Sequence, residues 1–308
     1  MLRFYAADEV HAALDYVQLA DALAAVFAAG AEVPVRHVHR LGARDSLLLM
    51  PAWSGATLGV KLVTVMPGNS GRSVGTVQAT YLLLDRATGE PRAVLDGEAL
   101  TLRRTAATSA LAARYLARDD AQNLLLVGAG RLAPYLACAH YALRSTLRRV
   151  FVWARNPSRA QTVAQWLRDQ GLPAQAVEQL EPAVREAHII SCATTATAPV
   201  VHGAWIEPGA HLDLVGGFTA AMREVDDAAA ARSRIVVDTY AGALAEAGDL
   251  LSPLASGAIG RDSVVAELAE LIRGERRGRT SDADVTLFKS VGTALEDLAA
   301  ATLVVRDT

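Results

Sequence analysis

The sequence predicts an α/β protein in which a doubly wound parallel sheet is joined to a second, α+β domain with a mainly antiparallel sheet. Two observations support this fold class. From residue 121 to about residue 240, apolar strand-like runs alternate with helical segments, as in a parallel sheet with crossover helices. Residues 34–95 instead hold short β-type runs separated by turn clusters such as PGNSG and ATGE, which is typical of antiparallel hairpins.

The first domain begins with a helical apolar pattern over residues 7–29, and four β-type runs follow it. The runs are VPVRHVHR, SLLLMPA, LGVKLVTVM and VGTVQATYLLLD, and a helix is predicted over about 98–116. The second domain should contain strands at 124–127, 149–153, 174–177, 188–193, 211–215 and 235–238. The tail should add helices at 263–273 and 292–302.

Length, charge and composition exclude several classes of protein. The chain has 308 residues, of which 52% are hydrophobic, and its formal net charge of −3 gives no reason to expect nucleic-acid binding. The start, MLRFYAADEV, lacks the pattern of a signal peptide, and no apolar run reaches membrane-spanning length, so we expect a cytoplasmic protein with no membrane partner. Cys138 and Cys192 fit no metal-site spacing, so buried thiols and no metal are expected.

The glycine-rich segment LLLVGAGRLA is the strongest functional signal in the chain. Gly128 allows a tight turn after an apolar strand, and Gly130 lets backbone approach a pyrophosphate. Ala133 allows close packing of the helix that follows, and Pro134 suits its first turn. Free N–H groups at a helix N-terminus attract phosphate, so the segment predicts the dinucleotide-binding turn of a Rossmann-type unit. The alternative is a tight turn with a structural role only.

The end of the next strand favours NADPH over NADH. An enzyme that uses NAD usually places a carboxylate there, on the ribose 2′-hydroxyl. This chain instead reads WARNPSR, with Arg155, Asn156 and Arg159 available and no carboxylate. Guanidinium groups match the oxygens of a phosphate. NADH remains open, because a solvated basic loop would have the same composition.

Two further strand ends are candidates for lining the cofactor crevice. Thr194 follows the predicted fourth strand, Val215 ends the fifth, and Gly216 and Gly217 follow it. In doubly wound sheets, ligands bind at the carboxyl ends of the strands. Threonine and glycine are also ordinary turn residues, so this second interpretation stays open.

Three basic residues of the first domain suggest a carboxylate clamp. Arg36 is placed within the predicted strand VPVRHVHR, Lys61 interrupts the apolar strand LGVKLVTVM, and Arg104 lies on the long helix. Lys61 and Lys289 are the two lysines among 30 basic residues, which sets both positions apart. A charge within an apolar strand is costly unless it is paired. An anionic substrate would pair it, and so would a carboxylate of the protein.

The chain resembles the ornithine cyclodeaminase/μ-crystallin family over nearly its whole length. The matching segments are LLLMPAW, GVKLVTVMPGN, TVQATYLLLD, LRRTAATSALAARYLA, VGAGRLA, LDLVGGFTAAMREVDD and TLFKSVGTALEDLAAA. The resemblance implies a substrate-binding and dimerisation domain at 1–116 with 288–308, and an NAD(P)-binding Rossmann domain at 117–287. It also implies a homodimer.

The resemblance assigns roles to particular residues. Arg36, Lys61 and Arg104 would hold a substrate carboxylate, and Val291 would face the substrate. It also implies that Thr76, Arg131, Leu132 and Ser290 touch the cofactor. Together with the residues argued above from the sequence, the full set expected at the cofactor is Thr76, Arg104, Gly128, Gly130, Arg131, Leu132, Arg155, Asn156, Arg159, Thr194, Val215 and Ser290. For the proton that imine reduction needs, no side chain in the sequence is an obvious donor, and Lys61, the candidate catalytic residue, and bound water are the two candidates.

One departure from the family pattern discriminates between its activities. The cyclodeaminases carry an acidic residue just after the Gly-Gly pair, where this chain has Phe218, and a glutamate before the Met-Pro pair, where it reads LLLMP. A diamino acid brings a second ammonium, which needs an acceptor that Phe218 does not provide. We therefore expect NADPH-dependent reduction of a small cyclic imino acid, Δ1-pyrroline-2-carboxylate or Δ1-piperideine-2-carboxylate, to L-proline or L-pipecolate. The alternatives are an ornithine cyclodeaminase, an NAD-dependent amino-acid dehydrogenase, and a μ-crystallin-like protein that binds NADPH without catalysis.

Overall fold

The computed structural model describes residues 2–69, 71–72 and 74–306. The chain divides into two compact units: unit 1 is Met1–Thr105 with Thr293–Thr308, and unit 2 is Ala106–Gly292. The division expected from the sequence lies at residues 116 and 288. Both bounds differ: the first falls within the helix Gly97–Leu116, and the second lies at Gly292, after the strand Val285–Lys289 that belongs to unit 2.

Unit 1 contains a six-stranded mixed sheet. Its strands are β1 (Arg3–Tyr5), β2 (His37–Arg40), β3 (Ser46–Ser54), β4 (Thr57–Val65), β5 (Val77–Asp85) and β6 (Pro91–Asp96). The spatial order is β1-β6-β5-β4-β3-β2, and every neighbouring pair is antiparallel except β1 with β6. The helices of this unit are α1 (Ala7–Ala13), α2 (Tyr16–Ala29), the start of α3 (Gly97–Leu116) and α11 (Ala294–Arg306).

The helical pattern over residues 7–29 forms two helices rather than one. Asp15 begins the second helix, and its carboxylate accepts hydrogen bonds from the backbone N–H groups of Val17 (2.9 Å) and Gln18 (3.1 Å). An N-cap of this kind requires extended backbone, which interrupts the helix. The axes of α1 and α2 are bent by 80° relative to each other. No single described helix is long and apolar enough to cross a membrane, whereas this bent pair is, by length and composition only.

α11 covers one face of the unit 1 sheet, where it packs on β3, β4 and β5. Side chains alternate across a strand, so the residues under the helix share one face. The buried residues of this face include Met50, Lys61, Val63, Tyr81 and Leu83. The sheet thus places a lysine and a tyrosine, neighbours in the β4–β5 register, in an otherwise apolar layer.

Unit 2 contains an eight-stranded sheet in which all pairs are parallel. Its strands are β7 (Asn123–Val127), β8 (Arg149–Trp153), β9 (Ala174–Ala176), β10 (Ile189–Cys192), β11 (His211–Leu214), β12 (Ser233–Val237), β13 (Val264–Glu267) and β14 (Val285–Lys289). The order is β13-β12-β14-β11-β10-β7-β8-β9. The helices are α4 (Ala133–Leu143), α5 (Pro157–Asp169), α6 (Leu180–Glu186), α7 (Asp227–Ala231), α8 (Tyr240–Glu246), α9 (Gly248–Ser256) and α10 (Leu268–Ile272). The predicted fold class is confirmed.

In the tail of unit 2 one prediction is wrong and one strand was not predicted. The helix expected over 263–273 is a strand, β13, followed by the short helix α10. The run VVAE has an apolar period that fits either element, and pairing with β12 decides for the strand. The strand β14 was not predicted, although it lies between β11 and β12. A five-residue buried strand lacks the alternation by which exposed strands are recognised.

Candidate active site

The glycine turn of unit 2 has the geometry of a dinucleotide cradle. Gly128 has φ +118°, and a Cβ there would lie 2.7 Å from the carbonyl oxygen of Ala193, so glycine is required at this position. A Cβ on Gly130 would meet no atom within 4 Å, so the space in front of this residue is open. α4 begins directly after the turn, with Pro134 in its first turn. The turn therefore fits the pyrophosphate of a dinucleotide.

The strand order places this turn at the switch point of the sheet. β7 lies between β8 and β10, and the chain runs outward from it in both directions. The Cγ2 atom of Thr194, which follows β10, lies 3.3 Å from where a Cβ of Gly128 would be. The loops after β7 and β10 therefore meet at the position where doubly wound sheets bind their ligands.

The same edge of the sheet gathers the other predicted residues of unit 2, because each follows the carboxyl end of a parallel strand. The residues that follow β7, β8, β10, β11 and β14 are Gly128, Gly130, Arg131, Leu132, Arg155, Asn156, Arg159, Thr194, Val215, Ser290 and Val291. Arg155 and Arg159 are exposed, whereas the Asn156 side chain accepts a hydrogen bond from Ser158 N (3.0 Å) and caps α5. The cap gives Asn156 a structural role at this end of the sheet.

A carboxylate that the sequence reasoning missed shapes the loop after β14. Asp238, buried at the end of β12, accepts hydrogen bonds from the N–H groups of Val291 (2.8 Å) and Gly292 (2.7 Å) and from Ser290 Oγ (3.3 Å). Gly292 has φ +80°, so this loop turns sharply. The aspartate after an apolar strand, in the run IVVD, was the available signal.

Lys61 and Arg104 of unit 1 are buried and share one carboxylate. The Lys61 ammonium lies 2.6 Å from Asp297 Oδ2, and Arg104 Nε donates to Asp297 Oδ1 at 3.0 Å. Arg104 Nη1 also donates to Glu296. Lys61 is 3% exposed and Arg104 is 5% exposed. β4, α3 and α11 thus bring two cations and two anions into one cluster within unit 1.

The cluster sets the protonation of its members. Burial lowers the pKa of Lys61 to about 8, against the attraction of Asp297 and with a further contribution from the charge of Arg104. Burial also opposes the charge on Arg104, but Asp297 and Glu296 together raise its pKa above the usual value. Burial, with the charge of Asp297, raises the pKa of the Tyr81 hydroxyl well above its usual value. At neutral pH the tyrosine is therefore neutral, and Lys61 is the cation nearest to releasing a proton.

The sequence left two partners open for the basic residues, an anionic substrate and a carboxylate of the protein, and the structure distinguishes them. For Lys61 and Arg104, carboxylates of the protein provide the pairing, as the second interpretation held. The prediction that Arg36 lies within a strand is wrong, because β2 begins at His37 and Arg36 precedes it. Thr76 lies one residue before β5, where its carbonyl oxygen accepts from Met66 N at 2.7 Å.

The two acids of α11 were not identified from the sequence. Glu296 and Asp297 are adjacent and fully buried in the run ALEDLAAA. Two carboxylates in an apolar helix are costly unless cations meet them, and this was the available signal.

The fold and these two sets of residues define a dinucleotide-binding α/β protein with a buried acid–base cluster. The profile of the ornithine cyclodeaminase/mu-crystallin family matches residues 3–308, so the chain belongs to this family. The predicted resemblance is confirmed.

Three relatives illustrate the range of similarity. The chain is 42% identical over 279 residues to the protein SAR DEFICIENT 4 of Arabidopsis thaliana, covering 88% of this chain and 86% of the relative. It is 42% identical over 262 residues to a Delta(1)-pyrroline-2-carboxylate reductase of Paracoccus denitrificans, covering 85% and 83%. It is 32% identical to the Thermococcus litoralis Delta(1)-pyrroline-2-carboxylate reductase solved with NADH and L-proline, with a TM-score of 0.93 and coverage of 99% and 97%.

The predicted enzyme class, a nicotinamide-dependent oxidoreductase acting on C=N bonds, is confirmed at the level of these relatives. The solved relative holds NADH, so a preference for NADPH stays a prediction.

The two glycines of the turn should respond differently to alanine. Gly128→Ala should lower the free energy of unfolding by about 1–3 kcal/mol, because φ +118° and the nearby carbonyl oxygen both disfavour a Cβ. Gly130→Ala should change it by less than about 0.5 kcal/mol, because the added methyl meets open space. Urea unfolding of both variants is the measurement. Equal stability of the two variants would contradict the described geometry.

Proposed function

We propose that this chain reduces a cyclic ketimine carboxylate, Δ1-pyrroline-2-carboxylate or Δ1-piperideine-2-carboxylate, to L-proline or L-pipecolate, with NADPH as the preferred reductant and NADH as the alternative. The observation that carries the proposal is Lys61, a buried ammonium with a pKa of about 8 beside Arg104. The relatives named as pyrroline-2-carboxylate reductases support the substrate class.

Reduction of a C=N bond needs a hydride at carbon and a proton at nitrogen. The bound reduced nicotinamide supplies the hydride. Lys61 Nζ donates a proton to the imine nitrogen, and the electron pair of the C=N π bond ends on that nitrogen. Asp297 holds the ammonium at 2.6 Å and stabilises its charged form before transfer. A donor pKa near the working pH is favourable for such a step.

Arg104 has the complementary role in this proposal. Its raised pKa keeps the guanidinium charged over the whole working range of pH. We propose that Arg104, with Arg36, binds the substrate carboxylate, and that Glu296 and Asp297 fix the orientation of the guanidinium. Charge-assisted hydrogen bonds of this kind contribute about 1.5–3 kcal/mol each.

Phe218 supports an imino acid over a diamino acid. It follows the Gly-Gly pair at the end of β11, and 46% of its surface is exposed. An exposed phenyl ring can contact the apolar part of a small ring but cannot accept a hydrogen bond from a second ammonium. Val291, half-buried in the loop after β14, would add a second apolar contact.

The experiment that decides between the functions compares substrates. Absorbance of NADPH and NADH is followed with each cyclic imine, and ammonia is measured with ornithine and NAD. Oxidation of NADPH with either imine is the expected result. Ammonia release from ornithine without net cofactor use would refute the reductase and indicate a cyclodeaminase. Tight NADPH binding with no turnover on any imine would indicate a binding protein.

The rate of imine reduction should fall as pH rises through about 8, because Lys61 then loses the proton that it donates. Lys61→Arg keeps the positive charge but cannot release a proton in this pH range, so Lys61→Arg and Lys61→Met should both lower kcat by about 100-fold or more. The measurement is kcat/KM for the imine against pH with saturating cofactor. If Lys61→Arg kept the kcat of wild type and lost activity at the same pH, the imine itself would be titrating and Lys61 would not be the donor.

We propose NADPH over NADH because Arg155 is exposed just beyond the end of β8. Arg155→Asp should lower the ratio of kcat/KM for NADPH to that for NADH about tenfold or more, since one charge-assisted hydrogen bond is lost and a repulsion is added. Arg261→Asp is the matched control, because Arg261 is also exposed but lies at the amino end of β13. Equal use of both cofactors by the wild-type protein would contradict the role of Arg155.

We also propose that the chain forms a homodimer through the unit 1 sheet. The face opposite α11 is apolar and only half-buried or exposed; its residues are Leu47, Leu49, Leu58, Val60, Leu62, Leu82, Leu84 and Val94. A large exposed apolar face of this kind marks an association surface, and a second copy presents the same apolar surface.

Leu62→Glu should convert the dimer to a monomer, because it places a charge in the middle of that face, at a residue that is 38% exposed. Trp166→Glu, at an apolar residue of unit 2 that is 41% exposed, is the control and should leave the mass unchanged. Sedimentation equilibrium measures the mass of each variant. A monomeric wild-type protein would overturn the proposal.

A further inference from the structure

Unit 2 contains a second buried ionic cluster, which the proposed chemistry does not use. Lys289, Asp249 and Glu224 are each 0% exposed, and they come from β14, α9 and the segment before α7. Lys289 Nζ lies 3.3 Å from Asp249 Oδ2 and donates to the carbonyl oxygen of Leu214 at 3.0 Å. Asp249 Oδ1 accepts from Glu224 N at 2.7 Å. Three ionisable groups are thus connected behind the carboxyl end of β11.

The carboxylate of Glu224 joins two loops of the cofactor edge. Its Oε1 accepts from Thr194 N at 2.6 Å, and its Oε2 accepts from Gly216 N at 2.8 Å. Thr194 follows β10 and Gly216 follows β11, so one side chain fixes the backbone after two neighbouring strands. Its backbone carbonyl also accepts from Val200 N at 2.8 Å, which ties the far end of the Thr194 loop to the same residue.

The Gly-Gly pair after β11 makes room for these carboxylates and for the backbone of the neighbouring loop. A Cβ on Gly216 would lie 2.2 Å from the carbonyl oxygen of Thr194 and 2.3 Å from Glu224 Oε1, and a Cβ on Gly217 would lie 2.1 Å from Asp249 Oδ2. The φ angles of both residues lie outside the left-handed region, so glycine is not required here for its backbone conformation. The absence of side chains here makes room for the two carboxylates, which the sequence analysis had not identified.

We propose that Glu224 is a positioning residue for cofactor binding, which acts through the backbone of Thr194 and Gly216. The inference rests on the proposed function in one respect, that a nicotinamide cofactor binds at this edge of the sheet. Glu224 touches neither cofactor nor substrate in this account. Its ionised carboxylate holds the two loops at a fixed separation, while Asp249, paired with Lys289, accepts from the backbone N–H of Glu224 and so fixes the position of this residue.

The charge state of Glu224 gives this proposal a signature. Burial raises the pKa of Glu224 to about 7, the charge of Asp249 adds to the rise, and the charge of Lys289 opposes it. Cys192 on β10 is the other titratable neighbour, and burial with nearby carboxylates raises its pKa well above the usual value, so it stays neutral. Protonation of one Glu224 oxygen removes an acceptor from a loop N–H. Cofactor affinity should therefore be highest above about pH 7 and should fall below it.

The test measures the dissociation constant of NADH by its fluorescence, without substrate, from about pH 5.5 to pH 8.5. Wild type should lose about tenfold in affinity across this range, the effect of losing one charge-assisted hydrogen bond. Glu224→Gln should bind NADH about tenfold more weakly at pH 8 and show no dependence on pH, because an amide has one acceptor oxygen and does not titrate. Glu207→Gln, an exposed glutamate before the amino end of β11, is the control and should match wild type. If Glu224→Gln bound NADH like wild type at every pH, the proposal would be overturned.

A second variant keeps the test decisive if Glu224→Gln does not fold. Asp249→Asn retains an oxygen that can accept from Glu224 N, but it removes the charge that raises the pKa of Glu224. The fall in NADH affinity should then move to lower pH. A fall at the same pH as in wild type would show that another group titrates and would overturn the proposal. Both results are independent of the imine, so a wild type that binds NADH but reduces no imine would refute the substrate and leave this inference standing.

Discussion

The carboxylate of Asp297, shared by Lys61 and Arg104, is the interaction on which the account of unit 1 depends. Three elements far apart in the chain, β4, α3 and α11, meet at this group. The free-energy cost of removing two cations and two anions from water is offset only if each charge has a partner. The loss of one partner from a buried pair costs about 3–5 kcal/mol of stability. The cluster is therefore structural and also determines which group can release a proton.

Unit 2 uses buried carboxylates for a different purpose. Asp238 accepts from the loop that follows β14, and Glu224 accepts from the loops that follow β10 and β11. In both cases a side chain behind the edge of the sheet fixes backbone at the edge. Hydrogen bonds from buried carboxylates thus fix the backbone of the loops that we propose to meet the cofactor.

Much of the fold could be predicted from the sequence, because its signals are local. The alternation of strand and helix over 121–240 and the turn at Gly128 need only neighbouring residues to be recognised. β14 and β13 were missed because a short buried strand has no period of its own and is defined by the strands beside it. The break at Asp15 was missed because a capping residue within an apolar pattern reads as part of the helix.

The site could be predicted only in part, because its contacts join residues that are far apart in the sequence. Lys61 was conspicuous as a charge in an apolar strand, but its partner Asp297 lies more than 200 residues along the chain. Sequence alone left a substrate and a protein carboxylate as equal partners for that charge. Glu224 and Asp249 gave no local signal in the sequence, because their role is to accept hydrogen bonds from backbone N–H groups of other segments.

The protonation of Lys61 is the claim that can be tested most directly, because the chain has two lysines, Lys61 and Lys289. Incorporation of 15N- and 13C-labelled lysine gives two side-chain signals in an NMR titration, and the Lys61→Arg variant identifies which is which. The account predicts that the Lys61 signal titrates near pH 8 in the folded protein. A Lys61 signal that stays unchanged up to about pH 10, the usual range for lysine, would contradict it.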